Sequence, residues 1–343
     1  MANITRTRLV LISIGLLFLV VVFLSLGFGL FLVSPADKEG AEQVFIVKEG
    51  ASVKEVAGEL DKRGLITNKT LFVLWTRLKG YGKDIRAGEY SLSPAMAPVQ
   101  LLEILRKGLV ILHSVTIPEG FTIDQIADAL AAKGLAEKKR FLELTQDKAL
   151  LRQYGISGPS FEGYLFPDTY HFSRGTPTLA ILDTMVKRFK QMVTPLMDKS
   201  QGPGMKFEEV VILASIVEKE TGRPEERPLI ASVFLNRLKL GMRLESDPTV
   251  IYGIENFDSD LKKKDLMDKT PYNTYVIHGL TPGPIANPGL ESIKAVMDPA
   301  KTDYLYFVSK NDGSHHFSKT LAEHNRAVEI YQKRKGKTPE KTS

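Results

Sequence analysis

The sequence contains no cysteine. This absence excludes disulfide bonds and metal sites built on thiolates, and it is compatible with an oxidising compartment. The sequence also lacks a P-loop, a dinucleotide-binding fingerprint and the HExxH pattern of zinc hydrolases. We therefore expect neither a cofactor nor a metal ion to be bound.

Basic residues outnumber acidic ones, which gives the 343 residues a formal net charge of +6. This excess suits an acidic polymer, an anionic membrane surface or nucleic acid as a partner. No stripe of basic residues alternates with aromatic residues, so we expect no nucleic-acid partner. Part of the excess lies in residues 331–343, which are predicted to form a basic, disordered tail.

An uncharged apolar run extends from Leu9 to Val33 and is long enough to cross a bilayer. Arg6 and Arg8 precede it without any acidic residue. The pattern predicts one transmembrane helix at 9–33, with residues 1–8 in the cytoplasm and the chain after Pro35 outside. A cleaved signal peptide is the alternative, but the apolar run is too long and its only candidate cleavage site contains a proline.

Two related segments follow, in which VKEG at 47–50 and IPEG at 117–120 each lead into an amphipathic stretch. Each segment predicts a strand, a Glu-Gly turn, a Ser or Thr helix cap, and a helix that ends at a glycine. We predict an α+β region at 43–147 that contains both strand-turn-helix units. The first unit resembles a LysM-type module, the sort that rests on glycan. A plain spacer is the alternative.

Residues 148–330 are predicted to form a mixed α+β domain. The stretch SFEGYLFPDTYHF at 160–172 combines aromatic residues with Glu162 and Asp168, as in a hydrophobic core or in a platform for sugars. Two later stretches, RLESDPTVIYG and TPYNTYVIHGLTPGPIANPG, are rich in polar residues, proline and glycine, which is typical of binding loops.

The stretch FEEVVILASIVEKETG at 207–222 predicts the central helix of this domain. Residues 210–217 are apolar on every side except at Ser215, so the helix should be buried. Glu218 follows and shares a face with Ala214 and Ser215, whose small size would leave room for a ligand. Loss of hydration favours the protonated acid, which would make Glu218 a candidate proton donor. Alternatively, Glu218 emerges into solvent and pairs with a lysine. Glu220 is expected to lie against bulkier neighbours.

Other candidate chemistries are weaker. His315, His316 and His324 could hold a metal, but adjacent histidines in a strand point to opposite faces, which favours a structural or substrate-side role. Ser246 and Asp247 could be a nucleophile and its partner. No histidine lies near them in sequence, and no nucleophile elbow surrounds them.

Several segments taken together resemble the endolytic murein transglycosylase family, the YceG-like proteins. In chain order they are AGEYSLSPAMAPVQLLEILRKG, EGYLFPDTY, LASIVEKET, ASVFLNRLKLGMRLESDPTVIYG, PYNTYVIHGLTPGPIANPG and HHFSKTLAEHN. The resemblance runs from the membrane anchor to about Asn325. A visible departure is Ala95-Met96, where the family often has Pro-Gly-Met, and it lies outside the suspected site.

The resemblance implies an enzyme of the bacterial cytoplasmic membrane whose catalytic domain faces the periplasm. Such an enzyme cuts peptidoglycan glycan strands internally, between N-acetylmuramic acid and N-acetylglucosamine. It leaves 1,6-anhydro ends and is expected to end the elongation of nascent strands. The implied partners are glycan strands, the membrane, penicillin-binding proteins and other wall-synthesis enzymes. The family's catalytic glutamate falls on Glu218. Motif position adds the following substrate-binding candidates: Glu162, Ser246, Asp247, Tyr272, Asn273, Thr274, Tyr275 and Asn287.

Two alternative functions remain open at this point. A lysozyme-type hydrolase would need a second carboxylate, supplied by Glu162 or Asp247, and would leave reducing ends. A non-catalytic wall-binding protein would use its LysM-like unit, and Glu218 would then be structural. Glycan cleavage that survives Glu218→Gln would favour the wall-binding protein.

Overall fold

The computed structural model describes residues 2–197, 204–255, 257 and 259–333. The chain forms two compact units. Unit 1 contains the residues up to His113 together with 171–176, and unit 2 contains 114–170 and the residues from Pro177 onward. The fold combines helices with three two-stranded sheets and is therefore α+β.

Unit 1 has a β-α-α-β order after its N-terminal helix. Its elements are α1 (Ala2–Val33), β1 (Gln43–Val47), α2 (Val53–Lys62), α3 (Lys69–Leu78), β2 (Gly88–Leu92) and α4 (Pro98–Lys107). Strands β1 and β2 pair antiparallel, with Gln43 opposite Leu92 and Val47 opposite Gly88. Helix α1 includes the segment Leu11–Val33, which among the described residues is the one helix long and apolar enough to cross a membrane.

The core of unit 1 lies between its sheet and its helices. Phe45 from β1, Leu60 from α2, Phe72 from α3 and Tyr90 from β2 are almost completely buried there. Helix α2 begins at Ser52, whose hydroxyl accepts from the third backbone N–H of the helix while Glu55 caps in return. The cap and the alternating burial in β1 place the apolar side chains of α2 and β1 on one inner face.

The end of α1 is part of this core. Phe31 is buried in it, and Leu32 packs against it. The segment that follows is fixed as well: the backbone N–H of Asp37 donates to the carbonyl of Pro94, and the Ser93 hydroxyl donates to the carbonyl of Gly40. No flexible tether therefore separates α1 from unit 1.

Unit 2 is mostly helical, and the boundary between the units falls within β3 and β4. The remaining elements are β3 (His113–Thr116), α5 (Ile123–Ala132), α6 (Lys138–Thr145), α7 (Lys148–Tyr154), β4 (Thr169–Phe172), α8 (Thr178–Met197), α9 (Phe207–Glu220), α10 (Arg227–Lys239), α11 (Asp247–Tyr252), α12 (Leu290–Met297), β5 (Tyr306–Ser309), β6 (His315–Ser318) and α13 (Leu321–Val328). Strand β3 pairs with β4, and β5 pairs antiparallel with β6.

Helix α9 is the centre of unit 2. Every residue from Val210 to Val217 is buried, and α10, α11 and α12 all pack against this helix. A helix surrounded in this way has no face for water, which explains its uninterrupted apolar sequence. Its last turn leaves the apolar surroundings and presents Glu218.

The structure divides the chain at a different place from the expected boundary at 147/148. The second strand-turn-helix unit, β3 with α5, joins unit 2 because its turn pairs with later loops. The backbone N–H of Ile117 donates to Asp168, and that of Gly120 donates to Asn287. Of the predicted tail at 331–343, residues 334–343 lie outside the described part of the chain. Residues 331–333 belong to a π-helical segment, Glu329–Lys333.

Phe72→Ala should destabilise unit 1 by about 3–5 kcal/mol, because a fully buried ring is lost and a cavity remains. Trp75, the single tryptophan of the chain, packs against the same core and reports its unfolding by fluorescence. Leu109→Ala is the matched control, because Leu109 is exposed in the same unit. Equal shifts of the denaturant midpoint for both variants would contradict this description of the core.

Candidate active site

Glu218 lies at the end of α9, and its side chain is only 6% exposed. Its Oε1 accepts a hydrogen bond from Nη2 of Arg227 at 3.0 Å. Its Oε2 accepts from the backbone N–H of Gly289 at 2.9 Å and from the hydroxyl of Ser292 at 2.7 Å. Gly289 and Ser292 form the start of α12, where the helix dipole favours a negative charge. Three helices therefore converge on one carboxylate.

A second carboxylate, that of Glu119, lies beside the same guanidinium. Nη2 of Arg227 donates to Oε2 of Glu119 at 3.2 Å. The Glu119 side chain is 46% exposed. The Glu119 carboxylate also packs onto Gly289, where an ideal Cβ would lie 1.9 Å from its Oε1, so a larger residue at 289 would displace this carboxylate. The Glu119 carboxylate thus contacts the buried guanidinium of Arg227 and is also accessible to solvent.

Sequence reasoning missed both Arg227 and Glu119 as site residues. Glu119 belongs to a Glu-Gly turn that also occurs at Glu49 and Gly50, and the repetition made the turn look purely structural. Arg227 begins α10 directly after the Pro224–Glu226 turn. Its length and charge gave no local sign of the buried position that it occupies.

The space expected beside Ala214 and Ser215 is filled by protein. The hydroxyl of Ser215 donates to the carbonyl of Ile212 at 2.7 Å and accepts from the backbone N–H of Ile285 at 3.0 Å. Because Ser215 is small, the loop that contains Ile285 packs against α9 at this point. That loop continues to Gly289 and so carries one donor to Glu218.

Glu162 and Asn287 form a buried pair. Oε1 of Glu162 accepts from Nδ2 of Asn287 at 2.8 Å, and both oxygens accept from the backbone N–H of Ile123 at 3.1 Å. The hydroxyl of Tyr252 donates to Oε2 at 3.2 Å. Burial raises the pKa of Glu162 to about 7. The pair therefore ties the start of α5 to the loop before Gly289.

Asn287 is completely buried, and its other atoms are also engaged. Its Oδ1 accepts from the backbone N–H groups of Gly163 and Leu165, at 3.0 and 2.9 Å, and its Nδ2 also donates to the carbonyl of Phe121. The side chain joins three loops in this way. These contacts hold in place the loop that leads from Asn287 to Gly289.

Ser246, Thr274 and Asn273 are buried as well. The backbone N–H of Ser246 donates to the Thr274 hydroxyl at 2.9 Å, and the Ser246 hydroxyl donates to the Glu220 carboxylate. Nδ2 of Asn273 donates to three carbonyls within residues 265–268. These contacts fix the loop that leads to Tyr275.

Glu220, which is expected from the sequence to lie against bulkier neighbours than Glu218, also has a polar partner. It receives the Ser246 hydroxyl, and burial raises its pKa to about 7. The opposite sides of the last α9 turn thus carry two carboxylates with different surroundings. Glu218 faces a cation and two further donors, whereas Glu220 faces a hydroxyl.

Of the predicted binding residues, Asp247, Tyr272 and Tyr275 keep accessible surface. The Tyr275 hydroxyl donates to Oδ1 of Asp247 at 2.6 Å, and burial raises the pKa of Tyr275, so the hydroxyl keeps its proton. The ring of Tyr272 packs 4.9 Å from that of Tyr252. In the part of the chain that the structure describes, none of the eight predicted binding side chains hydrogen-bonds to Glu218.

The three histidines lie on or beside the β5–β6 hairpin. Nδ1 of His315 lies 2.6 Å from Oε2 of Glu226, the ring of His324 stacks on Tyr306, and that of His316 lies beside Tyr331. Among the described residues, no group of three or more His, Asp or Glu side chains could hold a metal.

The raised pKa of Glu162 predicts a pH dependence of stability. The folded protein holds a proton that the unfolded chain releases above its ordinary pKa of 4.5, so this contribution is complete below pH 4.5 and is lost as pH rises through about 7. The stability advantage of the native protein over Glu162→Gln should fall by roughly 2–3 kcal/mol between pH 5 and pH 8. Guanidinium unfolding of both proteins at the two pH values measures it. A difference that is the same at both values would contradict the assignment.

Comparison with known proteins gives consistent matches. The sequence matches the YceG-like family over residues 45–330. It is 35% identical over 321 residues to a protein of Bacillus subtilis (strain 168) named endolytic murein transglycosylase, and the match covers 89% of each chain. A protein of the same name from Streptococcus pneumoniae (strain D39) is 30% identical over 86% of this chain, which spans 59% of the pneumococcal protein.

A crystal structure of a putative YceG-like protein from Listeria monocytogenes is also similar. The two chains are 34% identical, with a TM-score of 0.58, and the match covers 84% of this chain and all of the other. The sequence match covers most of the chain, and the structural match covers both units. The chain therefore belongs to the YceG-like family.

Proposed function

We propose that this protein is a peptidoglycan lytic transglycosylase that cuts within glycan strands, with Glu218 as its catalytic residue. The observation that carries the proposal is the position of Glu218: it ends a fully buried helix and is held by donors from α10 and α12. The relatives named endolytic murein transglycosylases support murein as the substrate. The bond cut is that between N-acetylmuramic acid and N-acetylglucosamine.

A single carboxylate suffices for this reaction. Protonated Glu218 donates its proton to the bridging oxygen as the bond from that oxygen to C1 of the muramic sugar breaks. The resulting carboxylate then takes the proton of the C6 hydroxyl of the same sugar. At the same time, the oxygen of this C6 hydroxyl forms a bond to C1. A 1,6-anhydro ring forms, and Glu218 regains its proton. No water is consumed, so no second carboxylate is required to activate one.

The shared guanidinium suggests how Glu218 changes between its two forms. The carboxylate accepts from Arg227, Gly289 and Ser292, whereas the acid must turn one oxygen toward the glycan. Nη2 of Arg227 already donates to Glu119 at a similar distance. We propose that this donor shifts to Glu119 when Glu218 carries the proton. The other two donors then hold the remaining oxygen in place.

The other predicted residues receive two kinds of role in this proposal. Asp247, Tyr272 and Tyr275 line the glycan-binding surface, because they keep accessible surface. The buried side chains hold the loops that form this surface, through the contacts described above. They are Glu162, Ser246, Asn273, Thr274 and Asn287.

Glu218→Gln should lower turnover by about 10²–10⁴-fold or more, because the amide keeps the shape but cannot deliver a proton. The measurement is release of anhydromuropeptides from intact sacculi, with circular dichroism to verify the fold. Glu220→Gln is the matched control on the same helical turn and should keep most of the activity. If Glu220→Gln is inactive and Glu218→Gln is not, the catalytic assignment is wrong.

We propose that α1 anchors the protein in the bacterial cytoplasmic membrane in a single pass, with residues 1–8 in the cytoplasm. Its apolar segment and the arginines ahead of it support this topology. Both units then face the periplasm, where nascent glycan strands are made. An endolytic cut at this place would end strand elongation, and penicillin-binding proteins and other wall-synthesis enzymes would be natural partners.

A reporter fused after Ser343 tests this topology. A periplasm-dependent reporter such as alkaline phosphatase should be active, and a cytoplasm-dependent one should be inactive. The reciprocal fusion ahead of Met1 is the control and should give the opposite pair of results. Cytoplasmic activity of the C-terminal fusion would remove the enzyme from its proposed substrate.

We also propose that the segment from β1 to β2 is a LysM-like positioning unit. Its β-α-α-β order and its antiparallel strand pair support this reading. The second strand-turn-helix unit, in contrast, contributes Glu119 to the candidate site.

A second candidate function, glycan hydrolysis, is favoured by one observation. Glu119 and Glu218 accept from the same Nη2 atom, so two carboxylates lie close together, as hydrolases require. Glu119 would then replace Glu162 and Asp247 as the second carboxylate. Mass spectrometry of the products separates the functions, because hydrolysis leaves reducing ends and transglycosylation leaves anhydro ends.

A further inference from the structure

Helix α3 carries two apolar faces: one lies in the core of unit 1, and only the inner part of the other, Leu71 and Trp75, packs against that core. Phe72 and Thr76 are completely buried. Leu71, Leu74, Trp75 and Leu78 follow the spacing of a second stripe along the same helix. Leu74 is 46% exposed and Leu78 is 67% exposed, so the outer part of this stripe has no protein cover.

The second stripe faces the side on which α1 lies. The ring of Trp75 packs edge-on against that of Phe28, with 6.2 Å between the centroids. Leu78 lies one turn after both Leu74 and Trp75, so the three side chains lie along one stripe of the helix. The exposed leucines therefore lie next to the apolar helix α1 and not on a remote surface.

The length of α1 places this contact at the edge of a bilayer. About 20 apolar residues span a hydrocarbon core of roughly 30 Å. Counted from Leu9, that length ends near Phe28. Phe31, only one turn later, is already buried in the core of unit 1. Trp75 and the exposed leucines are consequently level with the membrane–water boundary, where tryptophan is enriched.

The charges around the stripe match an anionic lipid surface. Lys69, Arg77, Lys79 and Lys83 lie in or beside α3, and residues 68–83 contain no acidic side chain. Within the described ranges, no ion pair joins any of these four cations to a carboxylate. The Nζ of Lys79 lies 4.8 Å from the centroid of the Trp75 ring, in a cation–π contact, so this charge lies directly beside the stripe.

We propose that α3 is an interfacial helix that docks unit 1 onto the outer leaflet of the membrane that α1 crosses. Leu74 and Leu78 enter the acyl boundary, and the four cations meet anionic headgroups. The inference rests on the proposed anchoring by α1. It adds a second contact between unit 1 and the lipid, made by a helix of the folded unit.

The cysteine-free sequence allows a direct test with the full-length protein. Leu78→Cys is labelled with an environment-sensitive fluorophore and reconstituted into vesicles of phosphatidylethanolamine and phosphatidylglycerol. Lys54→Cys, exposed on α2 of the same unit, is the matched control. Carbonate-resistant flotation with the vesicles reports anchoring by α1 independently of docking.

We expect quenching by aqueous iodide to be roughly threefold weaker at position 78 than at position 54. Lipids brominated near the headgroup should quench position 78 selectively. Adding Leu74→Glu should restore iodide access at position 78, while an unchanged circular dichroism spectrum shows that the protein stays folded.

Three outcomes would overturn the proposal. Equal iodide access at the two positions in floated vesicles would reject docking and leave the anchor intact. Protection from iodide without quenching by brominated lipid would show that protein, such as a second copy of the chain, covers the stripe. Failure to float would reject the anchor and the docking together.

Discussion

The buried guanidinium of Arg227 is the interaction on which the candidate site depends. A cation removed from water is costly unless carboxylates face it, and Glu218 and Glu119 both do so. The cation joins the end of α9, the start of α10 and the turn before α5. Removal of either carboxylate leaves a buried charge less well compensated, so the geometry around Glu218 and the stability of this region are coupled.

Close backbone contacts make that arrangement possible. At Gly163, with a φ of +86°, a Cβ would lie 2.5 Å from the side chain of Pro284 and 2.9 Å from that of Val211. The loop 283–289 can therefore approach α9 closely enough for Ile285 to reach Ser215 and for Gly289 to reach Glu218. The buried pair of Glu162 and Asn287 holds the same loop from its other side. Small residues and buried polar side chains thus act together to deliver one backbone N–H to the carboxylate.

Much of this architecture could be predicted from sequence because its signals are local. The continuous apolar run of α9 indicates a central helix, and the position of Glu218 directly after it indicates a carboxylate at the edge of the core. The pairing of Arg227 with Glu119 could not be predicted in this way, since 108 positions separate them and neither has a distinctive local pattern. Loop residues such as Asn273, Asn287 and Thr274 suit ligand binding and internal hydrogen bonding equally well. Only their burial shows that they hold the loops. The compact units divide the chain elsewhere than near residue 147 for a related reason: two similar units in sequence acquired different tertiary partners.

The fixed segment between α1 and β1 has a consequence for how the enzyme would sample the cell wall. A free tether of residues 34–42 could extend by roughly 30 Å and would let unit 1 move through a thick layer above its anchor. The contacts of Asp37 and Gly40 with Pro94 and Ser93 remove that freedom. With α1 as the proposed membrane anchor, unit 1 would then diffuse only in the plane of the bilayer, at a height set by the fold. Newly made strands close to the membrane would meet it, while older and more distant material would stay beyond the reach of this unit.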